Sequence, residues 1–346
     1  MRVTALTAGL VDAYDKFLLA MPETLLYQSS RYMAFLEELL GCEQQTLTAL
    51  DNQDRVIGAL PLMAMNGPLG KVINSLPYYG SNGGVIAKNA SDQRALILAY
   101  NELVSAKDVA ASTLIENPLF DVDYSSLDSE LQDERIGQFT SISHSDNHAD
   151  ALMAHFHYKT RNMIRKAEKT GVTIQVENDQ MEFLIHTHEV NMMEIGGLAK
   201  TRNFFYLIPK HFRANQDYKI YVARLEGKPV AALLVFYFNR TAEYYTPVVL
   251  KDYRETQALS ATIFKAMTEA SMEGFAWWNW GGTWLTQDGV YRFKSRWGTE
   301  DKSYRYFIKV NNKNLLNADR QELLAGYPSF FTLPFSALQE KDDAKY

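Results

Sequence analysis

Cysteine is nearly absent from this chain: its 346 residues include one, Cys42. That excludes an internal disulfide and any zinc site built from several cysteines. Long apolar runs are missing as well, none approaching the roughly 18 residues of a membrane-spanning helix. The N-terminal MRVTALTAGLVDAYDKF lacks the apolar core of a signal peptide, so a cytoplasmic location is expected. There is no excess of positive charge, the formal net charge being −6, so a polyanionic partner would need a local basic patch. Gly-x-Ser-x-Gly, the Walker loop and Gly-x-Gly-x-x-Gly are all absent, which removes the common nucleophile-elbow and phosphate-loop enzymes. Nothing calls for a metal or a bound cofactor. His186 and His188 are two apart on a predicted helix and point in different directions, unlike the i, i+4 pair that chelates zinc. Cys42 follows an apolar helix and reads as a packed thiol.

What is present is aromatic. The chain holds 20 Tyr, 18 Phe and 5 Trp within an otherwise ordinary globular composition, 47% hydrophobic and 22% charged. Its length suits two domains. Helical spacing marks 9–21 and 30–40, the latter with Ser29 or Ser30 as N-cap. Strand-like runs at 45–50 and 56–64 flank a polar turn, and a helix over 92–105 leads to a strand at 112–117. In the second half the pattern predicts a basic helix over 155–170, helices at 180–195 and 209–215, strands at 219–225, 230–238 and 243–249, a long helix over 257–272, and strands at 275–280 and 303–310. The segments TLTALDNQDRVIGALPLM (46–63) and IYVARLEGKPVAALLVF (220–236) echo each other as strand, polar turn, strand. Two copies of one α/β domain would account for this, joined in the polar stretch 140–152, although hairpins look alike in many folds.

Several features could carry chemistry. In NWGGTWLTQDGVYRFKSRWGT (279–299) an aromatic run ends at Gly281-Gly282, and Lys294 comes after it among rings. Lys159–Lys169 places five basic residues in eleven, with Arg165 and Lys166 among those near one helix face, either to hold an anionic ligand or as a solvated surface. Tyr244 and Tyr245 are adjacent on a strand broken by Pro247, so a regular strand would turn one of them from the core. Tyr78 and Tyr79 precede the glycine-rich Gly80–Gly84, which would serve either close ligand approach or plain turn geometry.

Taken together, KTRNMIRKAEKTGV (159–172), GKPVAALLVFYF (227–238), EYYTP, QALSATIFKAMTEA and GFAWWNWGGT…GVYRFKSRWG resemble the Fem-type (FemABX) transferases in order and spacing. The N-terminal SRYMAFLEE, RVIGALPLM and LPYYGSNGGV extend the resemblance over nearly the whole chain, with Phe293-Lys294 its most specific part. It implies an α/β fold of two tandem GNAT-like domains with mixed twisted sheets and flanking helices, expected at 1–150 and 151–310, with 311–346 returning to the first. It also implies transfer of an aminoacyl group from aminoacyl-tRNA to an amine of a cell-envelope, peptidoglycan-like precursor. An acyl-CoA donor with an amino-sugar acceptor, or a silent glycan- or nucleotide-binding module, are the alternatives. Lys294 would be the catalytic residue, a cation beside the reacting carbonyl, and Phe293, Tyr244, Tyr245 and Arg202 would line the substrate channel. The family's diphosphate-binding lysine falls on Leu36 here, and the acetyltransferase pyrophosphate loop is replaced by Tyr253–Ala261 without glycine.

Overall fold

The structure is a computed structural model that describes residues 1–78, 82–143, 146–283 and 288–338. Its elements in chain order begin β1 (Arg2–Ala5), α1 (Val11–Leu19), α2 (Ser30–Leu40), β2 (Glu43–Gln44), β3 (Leu47–Leu50), β4 (Val56–Leu60), β5 (Met63–Gly67), β6 (Gly70–Asn74) and β7 (Ile86–Ala87). Next come α3 (Ala90–Val104), β8 (Val109–Ile115), β9 (Leu131–Ser141), α4 (His148–His155), α5 (Tyr158–Lys169), β10 (Thr173–Val176), α6 (Met181–Glu194) and α7 (Arg202–His211). The remainder are β11 (Tyr218–Leu225), β12 (Lys228–Phe238), β13 (Thr241–Val249), α8 (Ala258–Met272), β14 (Trp277–Thr283), α9 (Asp288–Ser295), β15 (Glu300–Val310) and α10 (Arg320–Gly326). No helix among the described residues is long and apolar enough to cross a membrane.

The chain forms two compact units, Met1–Arg135 with Ser303–Tyr346, and Ile136–Lys302. The position 150 expected for the boundary lies inside α4, whereas the first unit ends at Arg135, and Ile136–Ser141 of β9 already pairs with β14 in the second unit.

In the first unit β1, β3, β4 and β7 make one small sheet, and β2, β5, β6, β8 and the Ser303–Val310 part of β15 make another. Helix α3, capped by the Asn89 side chain on Asp92 N–H, buries Leu96, Ile97, Tyr100 and Val104 against Ala49, Leu60, Ile73 and Leu114. It is the crossover between β6 and β8, which pair in parallel. Ser29 caps α2 by accepting from Tyr32 N–H. Leu36 on that helix is fully buried. The Cys42 thiol is packed and donates weakly to Leu36 O at 3.5 Å, and burial pushes it up to about 12.

The second unit has the strand order β10-β11-β12-β13-β14-β9. Every neighbouring pair is antiparallel except β13 and β14, which are joined by α8 and run parallel. Strand β12 is apolar almost throughout because both of its faces are covered. Val235 and Tyr237 join Ile164 of α5 and Ile263, Ala266 and Met267 of α8, while Phe236 between them meets Phe212 and Tyr245 on the other face. Alanines with Thr262, Ile263 and Met267 give α8 its buried face; α5 buries only Thr160, Ile164 and Ala167 and leaves its charged side to solvent.

Three sequence expectations are corrected, and one element is added. The basic helix over 155–170 is two helices, interrupted at Phe156–His157, where Phe156 turns into the core. The helix expected at 209–215 lies at 202–211. Thr201 caps it, and it carries Pro209 near its C-terminal end, at the cost of the one i→i−4 bond that proline cannot donate. The strand expected to end at Trp280 continues through both glycines to Thr283. Residues 288–295, to which the sequence pattern assigns no element, form α9, which carries Lys294.

Candidate functional site

Only three residue pairs hold β13 to β14: Thr241 with Trp277, Ala242 with Trp278, and Glu243 with Asn279. Beyond the third pair the two strands part, opening a fork in the sheet. Two irregularities drive the separation. In β13 the register with β12 slips between Leu234 and Val235, so that Tyr245 is the extra residue of a bulge. In β14 the register with β9 slips between Asn279 and Gly282, and Gly281 takes φ +74°, which L side chains rarely adopt. At the apex the Asn279 amide donates to the buried Glu243 carboxylate at 2.7 Å and accepts from Gly281 N–H at 2.8 Å.

Lys294 reaches this turn from α9. Phe293 packs on Trp280 and Trp297, with ring centroids 6.1 and 6.3 Å away. Successive helix residues point about 100° apart, so anchoring Phe293 in that cluster aims Lys294 elsewhere. Its ammonium donates to Gly281 O at 3.3 Å, Gly282 O at 3.1 Å and Thr283 Oγ1 at 2.9 Å. The side chain is buried, 7% exposed, and no carboxylate pairs with it among the described residues. Burial without a counter-charge pulls its pKa down to about 8. Thr283 can accept because its own proton goes to Gln138 Oε1 at 3.0 Å, and the Gln138 amide in turn donates to Thr299 Oγ1 at 3.3 Å.

The two tyrosines lie on opposite faces of the sheet. Tyr244 packs against Trp280 at 4.8 Å and Trp278 at 6.3 Å, and burial raises its hydroxyl above the ordinary tyrosine range. Tyr245 stacks on Phe204 at 5.6 Å with rings 3° from parallel. The half-buried Lys200 ammonium lies 5.4 Å from the centre of the Tyr245 ring, and burial lowers its pKa to about 8. The bulge between the two residues is what lets both be half-buried on a strand covered on both sides.

The other residues singled out from the sequence do not join this cluster. Arg202 is exposed and forked onto Glu189 at 2.9 and 2.8 Å, with Glu182 3.5 Å away. Arg165 is exposed on α5, and Lys166, also exposed, pairs with Glu255 at 3.5 Å in the short turn before α8. Tyr78 belongs to the other unit, where it has φ +80° and donates its N–H to Ser329 O at 2.9 Å. Tyr79 lies outside the described residues. His188 has a structural part: its Nε2 accepts Lys200 N–H at 3.0 Å, and burial holds its pKa near 4, so it stays neutral. Sequence reasoning missed Gln138, Thr283, Asn279, Glu243 and Lys200. The first three are ordinary polar residues in strands, and only pairing across the sheet brings Gln138 to within reach of Thr283.

Residues 154–295 match the family described as acetyltransferase (GNAT) domain. No curated protein matches the sequence. Among solved structures the chain resembles FemX at 14% identity, with a TM-score of 0.73 over 91% of this chain and 98% of that one. It also resembles the C-terminal domain of a putative lysylphosphatidylglycerol synthetase from Agrobacterium fabrum, at 10% identity and TM-score 0.58, over 94% and 99% of the two chains. A tandem GNAT protein from the clavulanic acid biosynthesis pathway matches at 12% identity and TM-score 0.51, over 89% and 98%. These likenesses show the fold, which is tandem GNAT-like as the sequence resemblance implied, and the family match places an acyltransferase domain over the β13–β14 fork.

Proposed function

We propose that this acyltransferase carries an aminoacyl group from aminoacyl-tRNA to an amine of a cell-envelope precursor, and that the reaction takes place in the β13–β14 fork. The observation that carries this reading is Lys294, a buried ammonium without a carboxylate partner among the described residues, at the point where the two strands separate. In acyl transfer the amine nitrogen bonds to the carbonyl carbon, the carbonyl oxygen gathers negative charge, and the donor's oxygen or sulfur leaves as the amine loses a proton. A fixed cation beside that oxygen stabilises the tetrahedral intermediate more than the ground state. The bond to Gly281 O, the longest of the three, is the one the developing oxyanion would displace. Tyr244 and Phe293 hold the aromatic wall behind the fork, and Tyr245 offers a ring on its other face. Arg165 and Lys166, on the solvent side of α5, are proposed to meet the anionic part of the donor, and Arg202 that of the acceptor.

The GNAT match favours a second reading, an acyl-CoA donor with an amino-sugar acceptor. Offering charged tRNA and acyl-CoA side by side and monitoring the acceptor's mass separates them. Transfer from tRNA alone supports the first reading and transfer from acyl-CoA alone the second. Transfer from neither, with Lys294→Ala binding ligands as the parent does, would leave a binding module.

A further inference from the structure

Two of the three acceptors around Lys294 are backbone carbonyls that no substitution can remove. The third, Thr283 Oγ1, has a defined role only because a second residue sets its direction. Thr283 is 1% exposed and Gln138 is fully buried, and they come from neighbouring antiparallel strands. A hydroxyl has one proton: here it is directed at Gln138 Oε1, which leaves an oxygen lone pair for the ammonium. Gln138 is itself oriented, since its amide donates to Thr299 Oγ1. Were the glutamine carbonyl removed, the threonine proton would be free to turn toward the ammonium and repel it.

We propose that Thr283 and Gln138 are positioning residues that orient the Lys294 ammonium in the fork and hold it in its charged form. The inference rests on the reading of Lys294 as the cation of acyl transfer. Thr283 is the side-chain acceptor of that ammonium, and the charges near it among the described residues are few. Strand β14 and residues 136–141 of β9 carry no charged side chain. On β13 Glu243 faces Asn279, on the far side of the turn. The ionisable residues of α9 are Asp288, Arg292 and Tyr291, the last bonded to Asp301, and Arg296 lies just past the helix. At the start of β15 Lys302 pairs with Glu300 and covers Trp277. Burial alone accounts for the lysine's shift, with none of these charges contributing.

The test compares the full-length parent with Thr283→Val, Thr283→Ser and Gln138→Glu by two readouts. One is the pH dependence of Lys294 labelling by isotopic acetic anhydride, read by mass spectrometry, which needs no turnover. The other is the pH–rate profile with whichever donor supports transfer. Thr283→Val removes an acceptor of the charged form, so both midpoints should fall by about half a pH unit or more; Gln138→Glu adds a negative charge two hydrogen bonds away and should raise them. Thr283→Ser should restore the parent values. Midpoints unmoved in folded Thr283→Val and Gln138→Glu would overturn the proposal. If Thr283→Val fails to fold, Gln138→Glu decides it by the same criterion, with Thr283→Ser expected to keep the parent values. A labelling midpoint that moves while the rate profile does not would uphold the positioning role and remove Lys294 from the chemistry.

Discussion

Residues 70–115 and 241–283 run the same course in the two units: a strand, a helix of 15 residues, and a second strand parallel to the first. Past the parallel ladder the two crossovers differ. In the first unit the ladder reaches the end of β6, and Ser75 prolongs it, its hydroxyl accepting Ile115 N–H at 2.7 Å. The space beyond is filled by the chain itself. Asn74 exchanges two hydrogen bonds with the backbone of Phe331, at 2.8 and 2.7 Å, and a Cβ on Gly83 would stand 2.5 Å from Ser75 O. In the second unit the ladder ends after three pairs, and the divergent ends hold a buried cation. A parallel crossover can thus close on its own backbone or remain open around a charged group; the first choice adds stability, the second a site.

The largest effect should come from removing that cation. Lys294→Met should lower kcat/KM on the order of a hundredfold or more, with unfolding midpoint near the parent's, checked by steady-state kinetics and thermal melts. Loss confined to KM would break the contrast, because it would make the open fork a binding surface only. The lysine's titration gives the second test. Activity that needs the ammonium should decline as pH rises through about 8. Stability should move the other way. Between about 8 and the ordinary 10.5 the unfolded chain binds a proton that the folded lysine has released, so this group's contribution rises with pH across that window. A rate profile flat well above pH 8 would sink the assignment.

In the filled crossover the expected effects are on stability. Gly84 has φ +81°, and a Cβ there would lie 2.9 Å from Asn117 N. Gly84→Ala should therefore cost about 1–3 kcal/mol in urea unfolding and leave kcat unchanged in the folded fraction. A fall in kcat at full folding would show that the first unit is not merely structural. The smallest change should come from charge reversal on α5: Arg165→Glu with Lys166→Glu should raise the donor's KM several-fold, since both side chains are exposed and screened by solvent. Unchanged KM for donor and acceptor would reduce this face to a solvated surface.

Much of the fold was legible in the sequence because its signals are local. Asp51–Arg55 and Glu226-Gly227 mark hairpin turns, with positive φ at Asp54, Glu226 and Gly227, and the apolar run of β12 announces a strand covered on both faces. Lys294 stood out because it lies among Tyr291, Phe293 and Trp297 and because the Phe293-Lys294 pair carries the Fem-type resemblance. Helix α9 was not legible: Gly289 and two aromatics weaken its propensity, and it forms because Phe293 docks on Trp280 and Trp297. Arg202 was singled out by resemblance alone, and its fork onto Glu189, 13 residues earlier, is a contact that only the folded chain shows.

By itself, then, the sequence determined the alternation of strands and helices, the two-fold echo and the identity of the one suspicious lysine, since propensity, periodicity and turn chemistry act over a few residues. Only the tertiary structure decided what surrounds that lysine. Its acceptors come from β14, and the glutamine that orients one of them comes from β9, 156 residues before Lys294 (294 − 138). A buried charge takes its pKa and its direction from such neighbours, and sheet pairing, not local sequence, is what chooses them.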